Sequence, residues 1–295
     1  MTDFVTGGGG FAGRHLLALL AADARAPSRA ELDLLDADAV RAALLDARPA
    51  RVFHLAALAS VGHSWRAPGE VLEANIAMTV NLLEAVRQET PDAAVVLVSS
   101  GEVYGPPERL PVDESAPLRP QNPYAVSKAA CDLLGGQYAD AHRLRIVRVR
   151  AFNHAGPGQS DDYVVGTLTR QVAEAEAAGA PEALLRTGNP DAARDFTDVR
   201  DVVRAYVAAT ELEPHAYNVC SGETATVRDL IAMVSEAARV PVRHEVDPQR
   251  MRPHDVPEVR GSAELLSAAC GWKPEIPLAQ TVADSLDAWR AELAR

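Results

Sequence analysis

Three cysteines in 295 residues, Cys131, Cys220 and Cys270, are too few and too widely spaced for a disulfide framework or a thiolate metal cluster. An odd count with no short spacing suits a reducing cytoplasm, where each serves as a small core residue. Long apolar runs are also missing. The longest near the start, residues 16–22, follows Arg14 and His15 and falls far short of the roughly 20 residues a bilayer span requires. It reads as the body of a helix, and a membrane is not expected as a partner. The opening Met1-Thr2-Asp3-Phe4-Val5 enters a glycine run with no charged leader ahead of a cleavable apolar segment, so no export signal is expected. Basic charge is in deficit: 29 Lys and Arg stand against 41 Asp and Glu, a net charge of −12. Such a surface repels phosphate backbones, which argues against nucleic acid as a partner and leaves room only for local basic pockets that hold small anions. Low-complexity linkers, internal repeats and blocks of like charge are absent. With 47% hydrophobic and 24% charged residues, the chain is an ordinary folded one, long enough for one large domain or two modest ones sharing a core.

Apolar runs of strand length alternate with helix-period segments through the first two thirds. Strands are predicted at residues 3–6, 51–56, 94–99, 144–150 and 216–220, and helices at 11–22, 37–46, 69–89, 123–141, 165–178 and 199–210. This alternation predicts an α/β fold built on a doubly wound parallel sheet. From about Asn153 the punctuation changes, with Gly156-Pro157-Gly158, Gly188-Asn189-Pro190 and a proline-rich stretch over 241–277, which predicts a smaller lobe. The strand at 216–220 returns to the main sheet, so the boundary is interleaved. Residues 1–155, with 193–220 returning, are expected to form the main doubly wound unit, and 156–192 with 221–295 the lobe.

Five of the 19 glycines crowd into Thr6-Gly7-Gly8-Gly9-Gly10-Phe11-Ala12-Gly13, where the first strand turns into the first helix. Glycines at 7, 10 and 13 permit a tight turn, close backbone approach to a pyrophosphate and close packing of helix on strand, with the helix N-terminus facing the anion. A flexible turn would use the same residues, but the position directly after a strand and before an apolar helix points to a dinucleotide. Near the expected second strand the chain reads Ala26-Pro27-Ser28-Arg29, with no carboxylate at the strand tip for a ribose 2′-hydroxyl. Ser28 and Arg29 suit a 2′-phosphate, so NADP(H) is favoured, with NAD(H) as the alternative. Asp33 either meets the adenine edge or caps the next helix.

Tyr124 and Lys128 stand four apart on the helix that starts at Pro123, so their side chains share a face. A lysine ammonium there is expected to lower the phenol pKa from about 10 toward the range where protons move readily. Ser100, at the end of an apolar strand, can hydrogen-bond the same substrate oxygen. A Tyr-x-x-x-Lys spacing alone is common on helices; joined to the glycine loop, Ser99-Ser100 and Tyr104-Gly105, it becomes specific. Thr6-Gly-x-x-Gly-Phe-x-Gly13, His54-Leu-Ala-Ala57, Ser99-Ser-Gly-Glu-Val-Tyr-Gly105 and Asn122-Pro-Tyr-Ala-Val-Ser-Lys128 together resemble the extended short-chain dehydrogenase/reductases that act on nucleotide sugars. The resemblance spans nearly the whole chain.

It implies that Tyr124 is the general acid/base, Lys128 its pKa partner and a ribose ligand, and Ser100 the third catalytic group. Gly7, Gly10, Phe11 and Gly13 would hold the cofactor, with Leu55, Ala56 and Ala57 alongside. Helices 69–89 and 123–141 match those that pair across a twofold axis in this family, implying a homodimer; packing within one subunit is the alternative. In the second half, Phe152-Asn153-His154-Ala155-Gly156-Pro157-Gly158-Gln159, Ala193-Arg194-Asp195-Phe196-Thr197-Asp198-Val199-Arg200-Asp201, Tyr217-Asn218-Val219-Cys220-Ser221-Gly222 and Arg252-Pro253-His254-Asp255 are most similar to the GDP-4-keto-6-deoxymannose reductases. A nucleotide-sugar substrate reduced at C4 is implied, with Asn153 on the sugar or its phosphate and Arg194 and Arg252 on the diphosphate. Each arginine could instead serve an ion pair. Glu102 lies where nucleotide-sugar 4,6-dehydratases place a proton-moving glutamate, so a dehydratase stays open. The same Ser/Tyr/Lys set also serves 4-epimerases, and a non-catalytic dinucleotide-binding protein is the reading from a different class. No metal is expected.

Overall fold

In a computed structural model, which describes residues 2–20, 22–250 and 256–294, β1 (Asp3–Thr6) leads through the glycine run into α1 (Phe11–Leu19). Then follow α2 (Ala37–Ala47), β2 (Arg51–His54), α3 (Val61–Arg66), α4 (Pro68–Glu89) and β3 (Ala94–Val98). A short 3-10 turn (Gly101–Tyr104) precedes α5 (Pro123–His142) and β4 (Ile146–Ala151). Beyond them come β5 (Asn153–Ala155), α6 (Val164–Ala177), β6 (Ala183–Thr187), β7 (Ala193–Asp198), α7 (Val199–Ala209) and β8 (Ala216–Val219). The chain closes with β9 (Thr224–Thr226), α8 (Val227–Ala237), β10 (Val242–Val246), β11 (Glu258–Val259), α9 (Glu264–Cys270) and α10 (Leu278–Leu293).

The main sheet is parallel throughout, in the order β1-β2-β3-β4-β8. Its strands are runs of β-branched and aromatic residues buried from both sides, as a sheet covered by helices on both faces requires. On one face Val5, Phe53, Val96 and Val149 pack with Leu16 of α1 and Val202, Val203 and Tyr206 of α7. On the other, Val52, Val95 and Leu97 pack with Val40 and Leu44 of α2 and Leu82, Leu83 and Val86 of α4. Register at the edge is reinforced by charge: Arg51 forks onto Asp3, its neighbour across the β1–β2 pair, at 2.6 and 2.7 Å.

The doubly wound sheet and its five main strands lie where the sequence pattern puts them, with ends shifted by one or two residues. The expected second strand is reduced to a single parallel bridge, Phe4 to Arg25. The amide of Arg25 donates to Asp3 O and Arg25 O accepts from Val5 N–H, but Pro27, which has no N–H, cannot continue the ladder. That bridge lies on the side of β1 away from β2, so the chain leaves β1 in one direction and returns to β2 on the other. The carboxyl end of β1 is therefore the switch point of the sheet, where ligands bind in folds of this kind.

The later elements build a second apolar cluster, in which Val165, Leu168 and Val172 of α6 meet Leu185, Leu230, Val234, Val282 and Leu286. Short strands surround it: β10 pairs with β6, and β7 lies between β5 and β11 with β9 antiparallel to it. The sequence pattern does not reveal these strands, because they are brief and rich in polar residues. The Asp-rich stretch of β7 and α7 ties them together. Asp195 accepts from the amides of Ser221, Gly222 and Gly261 and from the Ser221 hydroxyl. Asp198 caps α7 and accepts from Thr281. Asp201 takes the amides of Glu275 and Ile276, while its backbone carbonyl accepts from the Trp272 indole. Among the described residues no helix is long and apolar enough to cross a membrane.

Candidate active site

Gly10 caps α1 with extended backbone and no side-chain hydrogen bond, and the first turn of that helix carries no acidic residue. Its leading N–H groups thus face the switch-point crevice as free donors to an anion. Gly7 has φ +74°, and a Cβ there would lie 2.7 Å from the amide nitrogen of Ala56. At Gly13 a Cβ would lie 2.2 Å from Gly7 O. The loop is a cradle that only glycine can line, with Leu55 and Ala56 against it, and it fits a dinucleotide pyrophosphate. Gly13→Ala is expected to cost about 1–3 kcal/mol, as overpacking does, read as a lower urea midpoint with an unchanged m-value.

Toward the adenosine end, Ser28, Arg29 and Asp33 are all exposed. The Ser28 amide donates to Glu31 Oε2 at 2.8 Å, and the backbone and side-chain bonds from Ser28 hold the Glu31 carboxyl below its ordinary pKa. Glu31 escaped the sequence reading because it follows the strand tip by several residues. Asp33 accepts from Leu35 N at 3.0 Å, closing a local turn, and the residue that caps α2 is Asp36.

Asn122 caps α5 by accepting from Ala125 N, and Pro123 opens its first turn, so Tyr124 and Lys128 stand one turn apart at the carboxyl edge of the sheet. Ser100 follows β3 and caps the 3-10 turn through Glu102 N. Its hydroxyl is near enough to the Tyr124 phenol to pull on the phenol's pKa. Structure and expectation differ on the phenol. Burial is the largest influence and pushes its pKa up; Ser100 pulls the other way, and the charges of Tyr163 and Glu102 add to the rise. Lys128 does not reverse this, because it is itself buried, donates through Nζ to Val98 O, and is pushed down by burial against the pull of Cys131 and Asp132. Glu102 is exposed, and its Oε2 accepts from Asn122 Nδ2 at 3.1 Å. Tyr163, just before α6, is close enough to Tyr124 to raise its pKa; no local pattern marked it, since the two residues come near each other only in the folded chain.

Beneath the trio runs a buried polar chain. Thr6 Oγ1 is 2.7 Å from His54 Nδ1, and His54 Nε2 is 3.3 Å from Thr79 Oγ1. Thr79 donates to Asn75 O, Asn75 Nδ2 donates to Ser127 Oγ, and Ser127 donates to Tyr124 O. Because Thr79 donates onward, His54 is neutral with its proton on Nε2. Burial, and then the Lys128 charge, push His54 from 6.5 to about 3. The unfolded chain takes up this proton below about pH 6.5 and the folded chain does not until near 3. Stability is therefore full above 6.5 and falls as pH drops, by up to about 1.4 kcal/mol per pH unit from this one group. Urea unfolding of wild type and His54→Gln between pH 7 and 4.5 is expected to show a shallower acid slope in the variant; equal slopes would refute the assignment.

Of the residues expected on the substrate side, Asn153 is exposed on β5 opposite Phe196 of β7. Next to it His154 stacks on Phe11 of the glycine loop, with ring centroids 5.9 Å apart, so Phe11 bridges the loop and β5. Arg194 is half-buried and donates to Ala193 O and Val256 O at 2.8 and 2.7 Å. Arg252 lies outside the described residues. Among the described residues no cluster of His, Cys, Asp or Glu is placed to hold a metal ion.

A glycine cradle at the switch point of a parallel sheet, with serine, tyrosine and lysine gathered at the same edge, defines an extended short-chain dehydrogenase/reductase. Residues 25–285 match the profile of the GDP-mannose 4,6 dehydratase family, and the chain belongs to that family. It is 38% identical to the GDP-6-deoxy-D-mannose reductase of Pseudomonas aeruginosa, over 98% of this chain and 97% of that protein. A solved structure of RMD from Pseudomonas aeruginosa complexed with NADPH superposes with a TM-score of 0.90, at 37% identity and 99% coverage of both chains. The UDP-glucose 4-epimerase of Thermus thermophilus in complex with NAD superposes with a TM-score of 0.84, at 31% identity over 98% of this chain and 99% of that one.

Proposed function

We propose that this chain is a nucleotide-sugar 4-ketoreductase that uses NADPH, or NADH less well, to reduce GDP-4-keto-6-deoxymannose to GDP-rhamnose. The observation that carries the proposal is the Tyr124–Ser100 pair: a half-buried phenol held in its protonated form, with the Ser100 hydroxyl pulling on its pKa, at the edge where the glycine cradle opens. The bound nicotinamide supplies the hydride to C4. Tyr124 then delivers its proton to the oxygen that becomes the alkoxide, and Ser100 donates to the same oxygen as charge develops there. Lys128 contributes from the next turn, as a cation near the ribose. Asn153 contacts the sugar, and Arg194 and Arg252 meet the diphosphate.

Arg29, exposed at the adenosine end, supports the 2′-phosphate preference, as does the similarity to the NADPH complex. The substrate lobe comprises residues 156–192 and 221–295, and 1–155 with 193–220 hold the cofactor. Two copies associate through α4 and α5, where Val126 and Leu133 are 42% and 61% exposed, and the enzyme works in the cytoplasm, in keeping with its free cysteines. A second reading, 4,6-dehydratase, is favoured by one observation: Glu102 lies within electrostatic reach of Tyr124.

Nicotinamide absorbance separates the two. Incubation with GDP-4-keto-6-deoxymannose is expected to consume NADPH stoichiometrically and NADH more slowly. No consumption, together with a 4-keto-6-deoxy product formed from GDP-mannose without net cofactor use, would replace the reductase by the dehydratase and make Glu102 a catalyst.

A further inference from the structure

The turn that follows the lone bridge at Arg25 lies against the glycine loop: a Cβ at Gly8 would stand 2.8 Å from Ala26 Cβ. In a doubly wound sheet the residues just past the second strand, about 20 positions beyond the glycines, meet the 2′ position of the adenosine ribose. Ser28 to Leu32 occupy that place. The amides of Glu31 and Leu32 both donate to Ser28 O, at 3.0 and 2.9 Å, so the turn closes through its backbone. The Glu31 side chain folds back over it, and its Oε2 accepts from the Ser28 amide at 2.8 Å. A backbone N–H exposed on such a turn is a donor that a 2′-phosphate would use. Here a carboxylate of the same chain already holds it. Glu31 is exposed, and the bond from Ser28 keeps its carboxyl below the ordinary pKa, so it is ionised at neutral pH. Neighbouring charges are committed elsewhere: Arg25 pairs with Asp46, Asp33 accepts from Leu35 N, and Asp36 caps α2. Within the turn, exposed Arg29 attracts a phosphate and Glu31 repels it.

We infer that Glu31 is a specificity-determining residue, which competes with the 2′-phosphate of NADPH for the Ser28 amide and so narrows the preference for NADPH over NADH. This rests on the dinucleotide-binding reading above. A 2′-phosphate reaches the Ser28 N–H only when the Glu31 side chain swings out, and it arrives against the repulsion of like charge. A ribose 2′-hydroxyl carries no charge and leaves the carboxylate where it is. Discrimination between two ligands is a difference of affinities, and a repulsive group acts on it as directly as an attractive one.

The test is Glu31→Gln in the full chain, with the affinities for NADPH and NADH measured by energy transfer from protein fluorescence to the reduced nicotinamide. The amide keeps the length of the side chain and an oxygen for the Ser28 N–H, and removes the charge. At low salt the Kd for NADPH is expected to fall about fivefold to tenfold, the size of one surface charge contact, while the Kd for NADH stays within about twofold. The gain should shrink at high salt, which screens exposed charges. The thermal midpoint of the cofactor-free protein should hold, because the turn is closed by backbone bonds that the variant keeps. An NADPH Kd within twofold of wild type, or a weaker one, overturns the inference. So does an equal tightening of NADH, which would mark a general effect of the lost charge and no contest for the 2′ position. Failure of the wild-type chain to bind NADPH or NADH overturns the dinucleotide reading itself, and this inference with it.

Discussion

Tyr124→Phe is expected to lower kcat for keto-sugar reduction by about a thousandfold, within the range a positioned general acid contributes, while the Kd for NADPH changes little. The variant keeps the ring, the helix and the cap at Asn122, and loses only the hydroxyl on whose pKa Ser100 acts. A fall in kcat matched by kcat/KM would mean that the lost interaction exists only in the transition state. Activity near wild type would sink the mechanism. The pH profile supplies the sign. Reduction needs the phenol as an acid, and burial holds its pKa above the usual 10.0. The rate should therefore hold level through neutral pH and decline only as pH rises past about 10. A limb well below this would show that the charge of the bound cofactor, with Lys128, lowers the phenol in the working complex, as the four-residue spacing of Tyr124 and Lys128 first suggests.

Asp132→Ala is expected to destabilise the fold by about 3–5 kcal/mol, the cost of breaking a buried ion pair from one side. Asp132 is fully buried on α5 and holds Arg150 of β4 through two bonds of 2.9 Å. The guanidinium also donates to Tyr104 Oη at 2.9 Å and lies over that ring, its carbon 5.1 Å from the centroid. Tyr104 in turn donates to Asn218 Oδ1 at 2.7 Å, which joins β4, the 3-10 turn and β8. Burial pushes the Tyr104 phenol up to about 12 against the pull of Arg150, so it stays a donor at every working pH. Removal of Asp132 strands the Arg150 charge in this site. Urea unfolding checks the magnitude, and the double variant Asp132→Leu with Arg150→Met should recover part of the loss, because the buried Arg150 charge leaves with its partner, while Arg148, 3.4 Å from Asp132, is less deeply buried. A single variant that loses less than about 1 kcal/mol would show that water reaches the pair and screens it.

The main sheet was legible because its strands are consecutive apolar runs separated by amphipathic helices, a pattern carried within windows of a few residues. The glycine loop and the cap-proline start of α5 were legible for the same reason. The short strands of the second half were not: β7 reads Ala193-Arg194-Asp195-Phe196-Thr197-Asp198, with no clean alternation of apolar and polar residues, and its carboxylates are buried only because distant groups reach them. Ser221, Gly222 and Gly261 satisfy Asp195 across 26 to 66 positions of chain. The resemblance points to substrate contacts around Arg194, and the structure gives Asp195, Asp198 and Asp201 the work of tying the later elements together. Tyr163 had no local signature, since an aromatic residue at the start of a helix is ordinary until something faces it.

By itself the sequence determined the doubly wound sheet, the glycine cradle at the end of β1 and the one-turn spacing of Tyr124 and Lys128. Backbone preference, periodicity and capping act over a few residues, and these features need no more. Only the tertiary structure decided the electrostatics of the site: that burial outweighs Lys128 at the Tyr124 phenol, and that His54 is neutral between two threonines. Desolvation and hydrogen bonding are set by which groups from far along the chain close over each side chain, and that is a property of packing.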